Sequence, residues 1–170
     1  MIDQNDSKEK VGSHFLFPSN LYVSKEPFAI QTILGSCIAV CLHDPTLKYG
    51  GMNHYMVPLW NGQGLESPRC GNIAIDMLIR KMIQLGSHKE NLIAKVFGGA
   101  STLAMPNTAF SIGEGNIEIA QAMFDTYRIR IVATNVGGIQ GRKIVFNTAT
   151  GLVMMKYIMK QNNNQSGTKG

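Results

Sequence analysis

A cysteine thiol paired with a histidine imidazole can attack a carbonyl carbon and carry the protons that the attack releases. One stretch of this chain concentrates both groups. Residues 32–58, TILGSCIAVCLHDPTLKYGGMNHYMVP, hold Cys37, Cys41, His43 and His54, two of the three cysteines and two of the four histidines. A metal site, a disulfide, a thiol nucleophile with its base, or simply a well-packed hairpin would each account for that density. If residues 37–43 are extended, alternation puts Cys37, Cys41 and His43 on one face and Ile38, Val40 and Leu42 on the other. Cys37 and Cys41 then stand about 13 Å apart, whereas two thiolates on one zinc each lie about 2.3 Å from the metal. The same gap exceeds the limit of about 7 Å for a disulfide without backbone movement. No metal and no disulfide are expected here.

A nucleophile at Cys37 fits better. Gly35-Ser36 before an apolar run suggests a tight turn between two strands, leaving backbone N–H groups beside the thiol that could form an oxyanion hole. The base must return from elsewhere in the chain, because His43 lies about 20 Å along the same strand. If Asp44 pairs with Leu47 across a two-residue turn, His54 falls directly opposite Cys37, with Cβ atoms about 5 Å apart. Such a turn with proline at its first position is not a favoured one, and Gly50-Gly51 could add a bulge, so the register can slip by a residue or two. His54 is expected to depress the Cys37 pKa as an imidazolium and to protonate a leaving group. His43, beside Asp44-Pro45, is expected to be a solvated turn residue. Cys41 reads as packing on its strand, and Cys70 as lying in the first turn of a helix. A buried structural cysteine with an unrelated histidine remains the alternative to the dyad.

The elements that must position these residues follow from periodicity. Residues 20–24 (NLYVS), 28–34, 37–44 and 51–57 read as strands bounded by turn residues. Ser67-Pro68 predicts a helix start, Gly86 its stop, and Ala74, Met77, Leu78, Met82 and Leu85 recur at helical spacing between them. A strand over 91–97 ends at Gly98-Gly99, and a second helix is predicted over about 115–127, with Ile117, Ala120, Gln121 and Phe124 along one side. Three more strands follow at 128–134, 142–148 and 152–158, the last two joined as a hairpin across Ala149-Thr150-Gly151. Strands clustered at both ends of the chain, with two main helices packed against mixed or antiparallel sheets, predict an α+β single domain. It is expected to span 14–159, with flexible tails at 1–13 and 160–170.

Composition bounds the function. The chain of 170 residues is 44% hydrophobic and 16% charged, enough for a single core. Its formal net charge of +5 is spread as isolated Lys and Arg, without the basic runs of a nucleic-acid surface. No signal peptide or membrane-spanning run is visible, so a cytoplasmic protein with reduced thiols is expected, with neither nucleic acid as partner nor membrane insertion.

The motifs TILGSCIAVCLHDP, GGMNHYMVP, AKVFGGAS, IGEGN and GGIQGRKIVFNTATG, in this order and spacing, resemble the CheD family of bacterial chemoreceptor glutamine deamidases. The resemblance runs from about Leu21 to Val153. It implies a Cys-His-Thr triad that hydrolyses side-chain amides of receptor glutamines, with Cys37 from LGSC as nucleophile and His54 before YMVP as base. The family's threonine lies six residues before its cysteine, where this chain has Gln31; Thr32 stands one step later, and in a strand one step reverses the face. Thr32 is carried as the third catalytic residue, with Gln31 as the competing position. The resemblance also notes Asn135 where the family often has an acid. Ser36, Gly98 and Gly99 are assigned to the substrate side, although tight turns demanded by the sheet would explain the Gly98-Gly99 and Gly137-Gly138 pairs equally well. Implied partners are the cytoplasmic part of methyl-accepting chemotaxis receptors and a CheC-type phosphatase, with no cofactor. Glutamate methylesterase activity, a non-enzymatic adaptor and another cysteine amidohydrolase or peptidase are the rival activities.

Overall fold

The computed structural model describes residues 10–101 and 111–159. In chain order they form β1 (Gly12–Phe15), β2 (Asn20–Ser24), β3 (Phe28–Leu34), β4 (Ile38–Asp44), β5 (Tyr49–His54), α1 (Gly71–Gln84), β6 (Ile93–Gly98), α2 (Ile112–Tyr127), β7 (Arg130–Val136), β8 (Arg142–Asn147) and β9 (Val153–Tyr157). The strands make a four-stranded sheet, β1-β3-β8-β9, and a five-stranded sheet, β2-β5-β4-β6-β7. Each sheet is mixed: β1 runs parallel to β3 and β6 parallel to β7, and the remaining pairs are antiparallel. This is the expected α+β architecture. The strand β1 was not foreseen; it begins inside the stretch assigned to the N-terminal tail, pairing Gly12 with Phe28. Residues 1–9 and 160–170 of the expected tails lie outside the described residues.

The layers explain the composition of β4, buried at every position. Ile38, Val40 and Leu42 enter one core with Ala74, Ile75, Leu78 and Met82 of α1 and Ala120 and Phe124 of α2. Ala39 and Cys41 enter a second core with Ile30, Leu34, Ile144 and Phe146 of the four-stranded sheet. The strand period of two thus distributes one apolar run between two cores, with the five-stranded sheet as the middle layer.

Two helix starts move from their expected positions. Ser67-Pro68 does not open α1. Ser67 accepts from the Cys70 amide in a turn, Cys70 bridges to Val57, and the helix begins at Gly71 with Cys70 as its N-cap. The α2 helix starts earlier than 115 because Ser111 and Glu114 form a reciprocal capping box, a Ser-x-x-Glu signal present in the sequence.

Candidate active site

The chain leaves β3 at Leu34, turns through Gly35-Ser36 and enters β4 at Ile38, so Cys37 sits half-buried at the mouth between the two sheets. The turn is fastened from the neighbouring segment: the Ala100 amide donates to Gly35 O at 2.9 Å and the Gly99 amide to Cys37 O at 2.8 Å. Gly98 has φ +113°, and a Cβ there would run into the Cys37 carbonyl oxygen. The expected substrate-side residues Gly98 and Gly99 therefore lie directly behind the Cys37 backbone. Gly98→Ala should destabilise the protein by at least about 2 kcal/mol, through a backbone clash combined with a left-handed φ, and should slow Cys37 alkylation. Thermal melts and iodoacetamide labelling check both effects; an unchanged melt would show that the approach is not tight.

His54 ends β5 and is 2% exposed. The β4–β5 register differs from the expected one. Asp44 pairs with Tyr49 rather than Leu47, because the Asp44 carboxylate accepts from the Thr46 and Leu47 amides and Lys48 takes a left-handed φ of +58°, closing a longer turn. The ladder is displaced by two residues, and the Ile38–Tyr55 bridge leaves Met56, not His54, opposite Cys37. An even displacement preserves the face. His54 remains on the Cys37 side as its diagonal neighbour, a separation of about 7–8 Å between backbone positions that long side chains span. No bulge forms at Gly50-Gly51; a Cβ at Gly50 would instead meet the Thr148 backbone of the other sheet.

Thr32 and His54 meet across the gap between sheets. Ile30, Thr32 and Leu34 point inward from β3, while Ile33 is exposed, and the β3–β8 register runs without a bulge. Thr32, not Gln31, therefore faces the site. Its Oγ1 lies 2.8 Å from His54 Nδ1 and 2.7 Å from Leu16 O. A threonine hydroxyl has one proton, and the Leu16 carbonyl can only accept it. Thr32 must then accept from His54 Nδ1–H, which leaves the lone pair on Nε2. That nitrogen is buried and has no protein partner among the described residues.

The electrostatics differ from the expected ion pair. Desolvation lowers the His54 pKa to about 4, against a smaller upward pull from the Leu16 carbonyl. Desolvation also raises the Cys37 pKa, opposed by its own backbone amide. Both shifts disfavour charge, so burial favours a neutral thiol at Cys37 and a neutral imidazole at His54. A neutral imidazole acting as base would take a thiol proton during attack rather than beforehand.

Thr32→Val keeps the shape and removes the acceptor. Turnover should fall by about 10–100-fold while Cys37 stays alkylatable, and Gln31→Ala should be silent. Unchanged kcat in Thr32→Val would reject the orienting role.

Other candidate residues are engaged elsewhere in the fold. His43 is not solvated: it is 6% exposed, its Nδ1 lies 3.1 Å from Thr148 O, and its ring packs beneath Gly151. It ties β4 to the β8–β9 hairpin, because the turn beyond it folds against the second sheet. Cys41 is buried in the inter-sheet core, and desolvation pushes its pKa far up. Asn135 accepts from the buried Arg142 guanidinium through both its main-chain and side-chain oxygens. Among the described residues no three His, Cys, Asp or Glu side chains gather as a metal-binding group. Sequence reasoning missed Leu16, whose carbonyl fixes the Thr32 proton, and Asn53, whose Oδ1 takes the Val40 amide and interrupts the β4–β5 ladder beside His54.

The family model and the curated relatives agree on one family. Residues 57–157 match the family model described as CheD chemotactic sensory transduction. The chain is similar to a Trichlorobacter lovleyi protein named "Probable chemoreceptor glutamine deamidase CheD", at 48% identity over 162 residues, covering 95% of this chain and 99% of that protein. A protein of the same name from Sulfurimonas denitrificans is 46% identical over 151 residues, covering 86% of this chain and 94% of the relative. One solved structure, of a Neisseria meningitidis protein, overlays with a TM-score of 0.41 and 10% identity over 76% of this chain and 63% of that one, too distant to carry an argument. A match to the family model over more than half of the chain, with relatives near half-identical across almost all of it, places this protein in the CheD family.

Proposed function

We propose that this protein hydrolyses selected glutamine side chains of methyl-accepting chemotaxis receptors to glutamate, with Cys37 as nucleophile, His54 as base and acid, and Thr32 as the residue that orients His54. The observation that carries this reading is the Leu16–Thr32–His54 chain, which leaves a lone pair on Nε2 of a side chain that shares the Cys37 face of the sheet. The relatives' name supplies the substrate class.

In the proposed reaction, His54 Nε2 takes the Cys37 proton as Sγ bonds to the amide carbon. The carbonyl electron pair moves to oxygen, which the Cys37 amide receives. The imidazolium then protonates the departing nitrogen, ammonia leaves, and a thioester remains. Water, deprotonated by His54, attacks the thioester; the thiolate leaves and regains its proton, and glutamate is released. A glutamate methyl ester would pass through the same thioester with methanol as leaving group. The half-exposed position of Cys37 suits a side chain projecting from a protein surface.

The test is incubation with receptor cytoplasmic fragments, with peptide masses read for conversion of Gln to Glu. Conversion is expected with the parent protein. Receptor binding without conversion would favour an adaptor, and a CheC-type phosphatase would then be the partner to assay.

A further inference from the structure

We propose that Asn116 is a positioning residue for the reaction, holding the Cys37 amide in the orientation that receives the oxyanion and tying the nucleophile's turn to the strand that carries His54. The chemistry rests on the deamidase reading; the geometry does not. Asn116 lies in the interior of α2 and is fully buried. Asparagine is a poor helix former, so helix propensity does not explain its presence. Its side-chain nitrogen has two protons, and both are engaged: Nδ2 donates to Ser36 O at 2.9 Å and to Met56 O at 2.9 Å. Ser36 immediately precedes the nucleophile, and Met56 follows His54 by two residues.

Each contact has a consequence at the site. The Ser36–Cys37 peptide is trans, so its C=O and N–H point in opposite directions within one plane. Anchoring Ser36 O to α2 therefore aims the Cys37 N–H away from the helix. Among the described residues that amide donates to no carbonyl and lies against its own thiol. The second contact fixes Met56, the residue opposite Cys37 on the strand extension. The helix position is itself held, because Tyr55 Oη donates to the Asn116 main-chain oxygen. Asn116 Oδ1 is buried without a donor among the described residues, so the side chain contributes to the site through its donors alone. A single amide thus joins the backbone turn before Cys37 to the segment that follows His54.

A structural amide and a positioning amide respond differently to substitution. Asn116→Ser shortens the side chain and breaks the double bridge; Asn116→Asp keeps the shape and replaces the donor with an acceptor. In folded variants, kcat for deamidation should fall about 100-fold with KM within about twofold. Iodoacetamide alkylation of Cys37, which forms no oxyanion, should change by no more than about threefold, whereas affinity for butyraldehyde, which forms a tetrahedral adduct on the thiol, should fall at least about tenfold. The aldehyde measurement needs no receptor, so it stands if the deamidase reading fails. Equal losses in alkylation and aldehyde binding, or a raised KM at unchanged kcat, would overturn the proposal. Should both variants fail to fold, the parent protein decides: forming the butyraldehyde adduct should move the Cys37 amide proton resonance downfield, and an unmoved resonance overturns the proposal.

Discussion

Cys37→Ala is expected to reduce glutamine deamidation to background while the melting temperature stays within a few degrees of the parent. The three thiols occupy different environments. Cys37 is half-exposed at a backbone turn, whereas Cys41 and Cys70 are buried. Cys41 faces the inter-sheet core, where desolvation keeps it protonated, and Cys70 caps α1 and bridges to Val57. Neither can present sulfur to a protein side chain arriving from outside. Removing the Cys37 thiol deletes the proposed nucleophile and leaves only a small void at the surface, a change of about 1 kcal/mol or less. Cys41→Ala should behave in the opposite way, lowering stability through an internal cavity with turnover per folded molecule retained. Peptide masses, thermal melts and iodoacetamide stoichiometry separate the two outcomes. Full activity in folded Cys37→Ala, or its loss in folded Cys70→Ala, would reject the assignment.

His54→Asn is expected to abolish turnover, and His43→Asn to leave turnover of the folded protein intact while lowering its stability. Both imidazoles are buried, but His54 keeps a buried ring nitrogen, Nε2, without a protein partner among the described residues and on the strand face that Cys37 shares, whereas His43 Nδ1 binds Thr148 O and its ring supports Gly151. The two variants also differ in pH dependence. The His54 pKa falls from the ordinary 6.5 to about 4 on folding, so between those values the unfolded chain binds more protons than the folded one. The stability associated with neutral His54 is full above pH 6.5 and is lost as pH falls toward 4. That loss is on the order of 3 kcal/mol. Denaturant unfolding of the parent should show it, and His54→Asn should flatten the profile in that window, leaving the smaller slope of His43, whose pKa burial also lowers. For the same reason the acid limb of kcat/KM should lie nearer pH 4 to 5 than 6.5. Equal loss of activity in both folded variants, or an acid limb at the ordinary histidine value, would remove His54 from the mechanism.

Local pattern made much of this molecule legible. The strand cores from 28–34 to 153–157, both helices and the α+β class follow from residue type and period, which depend on near neighbours in the chain. Alternation also put Cys37 and His54 on one strand face, but not in the register expected for them. Boundaries were less legible. The Ser67-Pro68 signal was absorbed by a turn, and the Ser111–Glu114 box that opens α2 was present but unread.

The sequence by itself determined which strand faces the candidate residues share, because a period of two is a property of the backbone. Register, burial and partnership were decided by tertiary structure. The Asp44 carboxylate lengthened the turn and moved His54 from opposite Cys37 to diagonal; the parity survived because the displacement was even. The second sheet, closing over β4 and β5, buried His43 and brought Thr32 from β3 to His54. The desolvation that favours a neutral Cys37 and a neutral His54 exists only once three layers have assembled. Leu16 and Asn116 could not be found by local pattern, since a backbone carbonyl and a helix asparagine gain their roles only from groups 16 and 80 residues away in the chain.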